Sequence, residues 1–191
     1  MKRSQAIEQL KAVYKVLAED LNEIVAYGKK SPSPFAHRTL VRTHFALMEG
    51  LAFQLRQVTL ASLQRKGVLS PEEILLLKEE RPALKKNGKV ESIDSHQRPL
   101  PNLLFSIRCY VKNHGATYEP DTSNSGWAAM REFVQIRNRV THPKSTEDLD
   151  LDDKQLQYVA DAASWWKATM LGMFRACEEA DRFWRARLDK A

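Results

Sequence analysis

Arg137-Asn138-Arg139-Val140-Thr141-His142-Pro143 closes a run in which Trp127, Met130, Phe133, Val134, Ile136 and Val140 recur at helical steps. That spacing puts the apolar side chains on one helical face, and the heptapeptide ends the helix. Proline removes a backbone donor and pushes the residue before it out of the α region, so the turn containing His142 must break. A permanent cation, an amide and an imidazole therefore share the last turn of an amphipathic helix. In an unbroken helix Arg137 and His142 would stand about 140° apart around the axis. The break at Pro143 frees His142 to swing towards the Arg137 side. Asn138 is four residues before His142, a spacing at which its amide can orient the imidazole. The negative end of the helix dipole favours the charged form of a histidine placed there.

Working outward, the stretch Asp150 to Asp153, with acids at 150, 152 and 153, is suited to start a very long last helix, whose stripe is Leu156, Val159, Ala163, Trp166, Met170, Phe174, Cys177 and Trp184. At the other end, Ile7, Leu10, Tyr14, Leu17, Leu21 and Ile24 predict a helix over about 4–27, ended by Gly28 and Ser31-Pro32-Ser33-Pro34. Val41, Phe45, Met48, Ala52, Leu55, Thr59 and Leu63 predict a second over about 35–66, with Gly67 just past its end. Ser70-Pro71-Glu72-Glu73 combines an N-cap, a first-turn proline and two acids, and starts a short helix to about Glu80. Asn87-Gly88 between short matching runs predicts a two-residue hairpin turn. Pro99 and Pro101 admit a helix over about 102–113, ended by Gly115. The expected fold class is all-α. It is an antiparallel bundle of four to five main helices forming one domain over 1–191, with a small ribbon or loop around 82–98 inside an insertion spanning 82–101.

The chain has 191 residues, enough to bury a core unaided, and only seven glycines and eight prolines, which argues against disorder. Its net charge of +6 permits a polyanionic partner without demanding one, because both signs are interspersed. Charged residues such as Lys2, Arg3, Glu8 and Lys11 interrupt the first thirty positions, so no signal-peptide core is read there, and no stretch is long enough to span a bilayer. Cys109 and Cys177 are isolated thiols in helical segments, which suits a reduced, cytoplasmic setting.

An arginine that forks onto phosphate, beside a histidine able to move protons near neutral pH, suits cleavage of RNA by its own 2′-hydroxyl. That reaction needs a base, an acid and a cation on the phosphate. One copy of the motif supplies one histidine. A two-fold homodimer supplies two histidines and two arginines.

Arg137, Asn138 and His142, at the end of the penultimate long helix of an all-α chain, resemble the HEPN domain. Its signature is an arginine, four to six residues, then a histidine, often with a polar residue directly after the arginine. The resemblance covers most of the chain, from the front helix pair to the long helix behind the motif; the segment around Asn87-Gly88 departs from the minimal bundle. The resemblance implies a metal-independent endoribonuclease acting as a dimer, with no cofactor, of the toxin, phage-defence or RNA-processing kind. Its partners would be RNA and a cognate antitoxin or other protein. Arg137 and His142 are then catalytic, Asn138 and Thr141 supporting, and Arg139 and Lys144 RNA-binding. Other such domains are non-catalytic modules that bind a protein, a nucleotide or RNA.

His37 and His44 share a face of the second helix but lie about 10 Å apart along its axis, too far to chelate one metal. No metal site, phosphate-cradling glycine loop or serine-hydrolase elbow is read. Lys85, Lys86 and Lys89 are read as a lysine-rich turn in preference to an RNA contact, and Arg42 and Glu49 as a surface pair in preference to a brace for Arg137. Acids 147, 148, 150, 152 and 153 repel RNA; their main role is at the start of the last helix. Trp165, Trp166 and Trp184 are assigned to core or dimer contacts.

Overall fold

Short polar side chains and prolines start the helices, and the computed structural model, which describes residues 1–63 and 68–188, shows how. In chain order these residues form α1 (Arg3–Lys30), α2 (Pro34–Ala61), α3 (Pro71–Leu77), β1 (Glu80–Leu84), β2 (Val90–Asp94), α4 (Pro99–His114), α5 (Ser125–Thr141), a 3-10 turn (Glu147–Leu149) and α6 (Asp153–Leu188). The described residues are mostly helical, with one small antiparallel ribbon among them. No helix among the described residues is long and apolar enough to cross a membrane.

The chain forms two compact units. The first comprises residues 1–10, 52–118 and 175–191, and the second residues 11–51 and 119–174. In the first unit the Ser70 hydroxyl accepts the Glu73 N–H while the Glu73 carboxylate accepts the Ser70 N–H, a reciprocal cap with Pro71 inside it. Leu69, Leu77 and Cys109 bury together, flanked by Leu60, Ile74 and Phe105. Arg56, almost fully buried, reaches Asn102 Oδ1 at 2.7 Å and Glu79 Oε1 at 2.9 Å, tying the first turn of α4 to the residue before the ribbon.

The ribbon differs from the expected two-residue turn. Lys85 donates to the Lys89 carbonyl, leaving three loop residues, and Gly88 takes φ 77° while its N–H closes the turn onto Lys85. A three-residue loop with glycine in the left-handed region fits the strand twist. The ladder alternates from that pair, so Pro82, opposite Ser92, points its missing N–H away from β2 and costs no ladder bond. Gly115 closes α4 with φ 65°, as its position predicts.

Besides the start of α4, which lies at Pro99 and not near Asn102, three boundaries moved. Gly28 does not stop α1, which continues to Lys30 and ends at the Ser-Pro repeat. The second helix ends at Ala61, before the expected Lys66; Gly67 lies outside the described residues. The third ends at Leu77 because Glu79 takes φ 58°, a left-handed conformation no helix continues through.

The second unit carries the motif. Phe133, Met130 and Val140 are fully buried, and Phe45 meets Phe133 edge-on at 5.5 Å. Burial of a ring such as Phe133 stabilises the fold by about 2 to 3 kcal/mol. Trp165 and Trp166 are buried, as expected for core, and Trp165 donates its indole N–H to the Asp121 carbonyl at 2.8 Å. On α1 the predicted stripe is thinly covered: Ile24 is buried but Tyr14 is 49% exposed.

Candidate functional site

The heptapeptide is positioned from both ends of α5. At its start the Asn124 side chain accepts the Trp127 N–H at 2.9 Å. The loop before it is gathered on Asp121, whose carboxylate takes the Ser123 N–H and hydroxyl and the Asn124 amide. At its end the His142 N–H still closes onto the Asn138 carbonyl at 2.9 Å, but His142 has φ −128° and ψ 62°. The helix therefore breaks at the residue before Pro143, as the proline dictates. His142 is exposed, and no side-chain hydrogen bond holds its ring among the described residues.

Arg137 is fixed from three sides. Its guanidinium lies 4.5 Å from the centre of the Phe45 ring, a cation–π contact. One end donates to Asn138 Oδ1 at 3.1 Å, and the other to Glu49 Oε2 at 3.2 Å. Its side chain keeps 23% of its surface exposed. Asn138 thus turns its amide oxygen to the arginine and not to the imidazole, so the expected orientation of His142 by Asn138 is replaced by orientation of Arg137. A charged donor is the stronger partner for that oxygen.

Arg42 and Glu49 do not pair with each other. Arg42 donates to the Val140 carbonyl at 2.7 Å, satisfying one of the last carbonyls of α5, and Glu49 takes Arg137. One turn before Arg42, Arg38 donates to the Leu149 carbonyl at 3.3 Å, which secures the segment after the motif. One face of α2 therefore supplies Arg38, Arg42, Phe45 and Glu49 at steps of four, three and four. Phe45 was legible in the sequence only as core.

The remaining candidates occupy other positions. Arg139 is two residues from Arg137, about 200° round the helix, and lines a separate open groove with Glu132, Gln135, Asp152, Lys154 and Tyr158. Lys144 is exposed, and its N–H donates to Asp148 Oδ2 at 2.8 Å. Thr141 is exposed at the last helical position. Asp152 and Gln155 exchange backbone and side-chain hydrogen bonds, so Asp152 starts α6 as expected of the acidic run.

His44 is buried against Phe133, with ring centres 5.6 Å apart, and desolvation lowers its pKa to about 4. It is neutral near pH 7 and belongs to the apolar layer under the motif helix. Among the described residues no three His, Cys, Asp or Glu side chains gather in a way that could hold a metal ion. No family model, curated protein or solved structure matches the chain.

Proposed function

We propose that the chain is a homodimeric, metal-independent endoribonuclease of the HEPN type that its Arg137–His142 spacing resembles, acting in the cytoplasm as a toxin, phage-defence or RNA-processing component. The observation that supports it most is the end of α5. A forked cation clamped on Phe45 and an exposed, unengaged imidazole follow one another across a proline break.

In this reading the RNA 2′-oxygen attacks the adjacent phosphorus and the bond to the 5′-oxygen breaks, leaving a cyclic phosphate and a 5′-hydroxyl. His142 of one copy takes the 2′-hydroxyl proton, and His142 of the second returns a proton to the leaving oxygen. Arg137 stabilises the charge that grows on the phosphorane, where a rigid donor acts best. Asn138 and Phe45 hold that guanidinium, Thr141 flanks the break, and Arg139 and Lys144 meet RNA beyond the cleaved bond.

Purified protein incubated with RNA in EDTA should yield cyclic phosphate ends. Arg137→Ala should lower the rate by about 10²- to 10³-fold and His142→Ala by about 10²- to 10⁴-fold, with both variants still folded. Equal cleavage by wild type and both variants would sink the proposal.

The Arg137–Glu49 ion pair favours a second reading, since it already neutralises the cation. In that reading the site is a non-catalytic module for a partner protein, nucleotide or RNA. Co-purification of a stoichiometric partner without RNA cleavage at any salt concentration supports this alternative.

A further inference from the structure

The short turn between α1 and α2 carries two aromatic rings that the core does not use. Tyr27 is 48% exposed and Phe35 60% exposed, and their rings meet edge to face with centres 6.5 Å apart. Local bonds set the backbone that carries them. The Ser31 N–H closes the last turn of α1 onto the Tyr27 carbonyl at 2.9 Å, and the Ser33 hydroxyl caps α2 through the Ala36 N–H at 3.2 Å. Beside the rings the last turn of α1 presents the exposed cations Lys29 and Lys30.

Resting on the endoribonuclease reading, we propose that Tyr27 and Phe35 form a stacking platform for unpaired RNA bases next to the cleavage site. Aromatic faces with neighbouring cations are the chemistry by which single strands are held: bases stack, and the charges track the phosphates. The alignment along α2 links this platform to the motif. Phe35, Arg38, Arg42 and Phe45 follow at steps of three, four and three, so they share one helical face. Arg42 holds the Val140 carbonyl, two residues before His142, and Phe45 lies under Arg137. From Phe35 to Arg42 the helix rises about 10 Å.

The acidic stretch at 147–150 meets this face at Arg38, between Phe35 and Arg42. Asp148 is turned onto the Lys144 N–H, and Leu149 is held by Arg38. Glu23 lies one turn before Tyr27 on α1. These charges disfavour phosphate along their edges, which leaves the lysine side of the rings as the approach for an anionic strand.

The test measures binding, separately from cleavage. A short labelled single-stranded RNA is titrated by fluorescence anisotropy into His142→Ala protein with and without Tyr27→Ala and Phe35→Ala together. Stacking predicts that the double replacement weakens binding by about tenfold or more. Phe35→Trp in place of Phe35→Ala should restore most of it. An abasic oligonucleotide of the same length should bind both proteins equally, because it has phosphates and no bases to stack. Equal RNA affinity with and without the rings, an equal loss with the abasic probe, or no RNA binding at all each overturns the platform. Failure of the nuclease reading shows separately, as absence of cleavage by wild type while the ring-dependent binding persists.

Discussion

At the scale of single residues, His44 illustrates what the interior under the motif demands. Burial lowers its pKa from 6.5 to about 4. The unfolded chain therefore binds more protons than the folded one between those values. Stability is fully present above about pH 6.5 and is lost as pH falls towards 4, by up to about 3 kcal/mol. Urea midpoints at pH 7 and pH 4.5 should separate less in a His44→Leu variant than in wild type; equal separation would remove His44 as a source of acid sensitivity. The motif itself was legible because its logic is local: a proline, a turn and a spacing. Its supports were not. Arg42 and Glu49 are seven residues apart, two turns and about 10 Å along the axis, so their opposite charges meet partners on α5 instead of each other. Nothing in a helical spacing says which distant helix will face it.

At the scale of elements, starts were easier to read than stops. Ser70 and Asp152 act through their own side chains on backbone within three residues, so composition exposes them; Asn124 caps α5 in the same way without having been singled out in the sequence. Stops depend on conformations that several residue types adopt. Gly28 is helical, whereas Glu79, not a glycine, enters the left-handed region and ends α3. The small residue at the start of α5 has a packing reason that the sequence did not announce. A Cβ on Gly126 would come within 2.8 Å of the Trp165 Cβ and 3.0 Å of its ring. Gly126→Ala should therefore destabilise by about 1 to 3 kcal/mol through overpacking, read as a lower urea midpoint. An unchanged midpoint would mean that α5 and α6 can separate there at no cost.

For the whole molecule, the two units carry different chemical reporters. Cys109 and Cys177 both belong to the first, and burial pushes each thiol up to about 12, so they stay protonated and slow to react. Of the four tryptophans, Trp127, Trp165 and Trp166 belong to the second and Trp184 to the first. Because α1, α2 and α6 each contribute residues to both units, thiol alkylation and the fluorescence of a Trp184→Phe variant, whose remaining tryptophans all lie in the second unit, should follow one common urea transition; separate midpoints would show that the units unfold independently. The ribbon has a consequence for assembly. With Pro82 facing outward, β1 offers an edge that lacks a donor at its centre, while β2 keeps the outward N–H groups of Val90 and Ser92. Recruitment of a further strand is thus directional. Two copies meeting through β2 would each present β1 on the outside, where the missing donor of Pro82 disfavours growth beyond a closed pair.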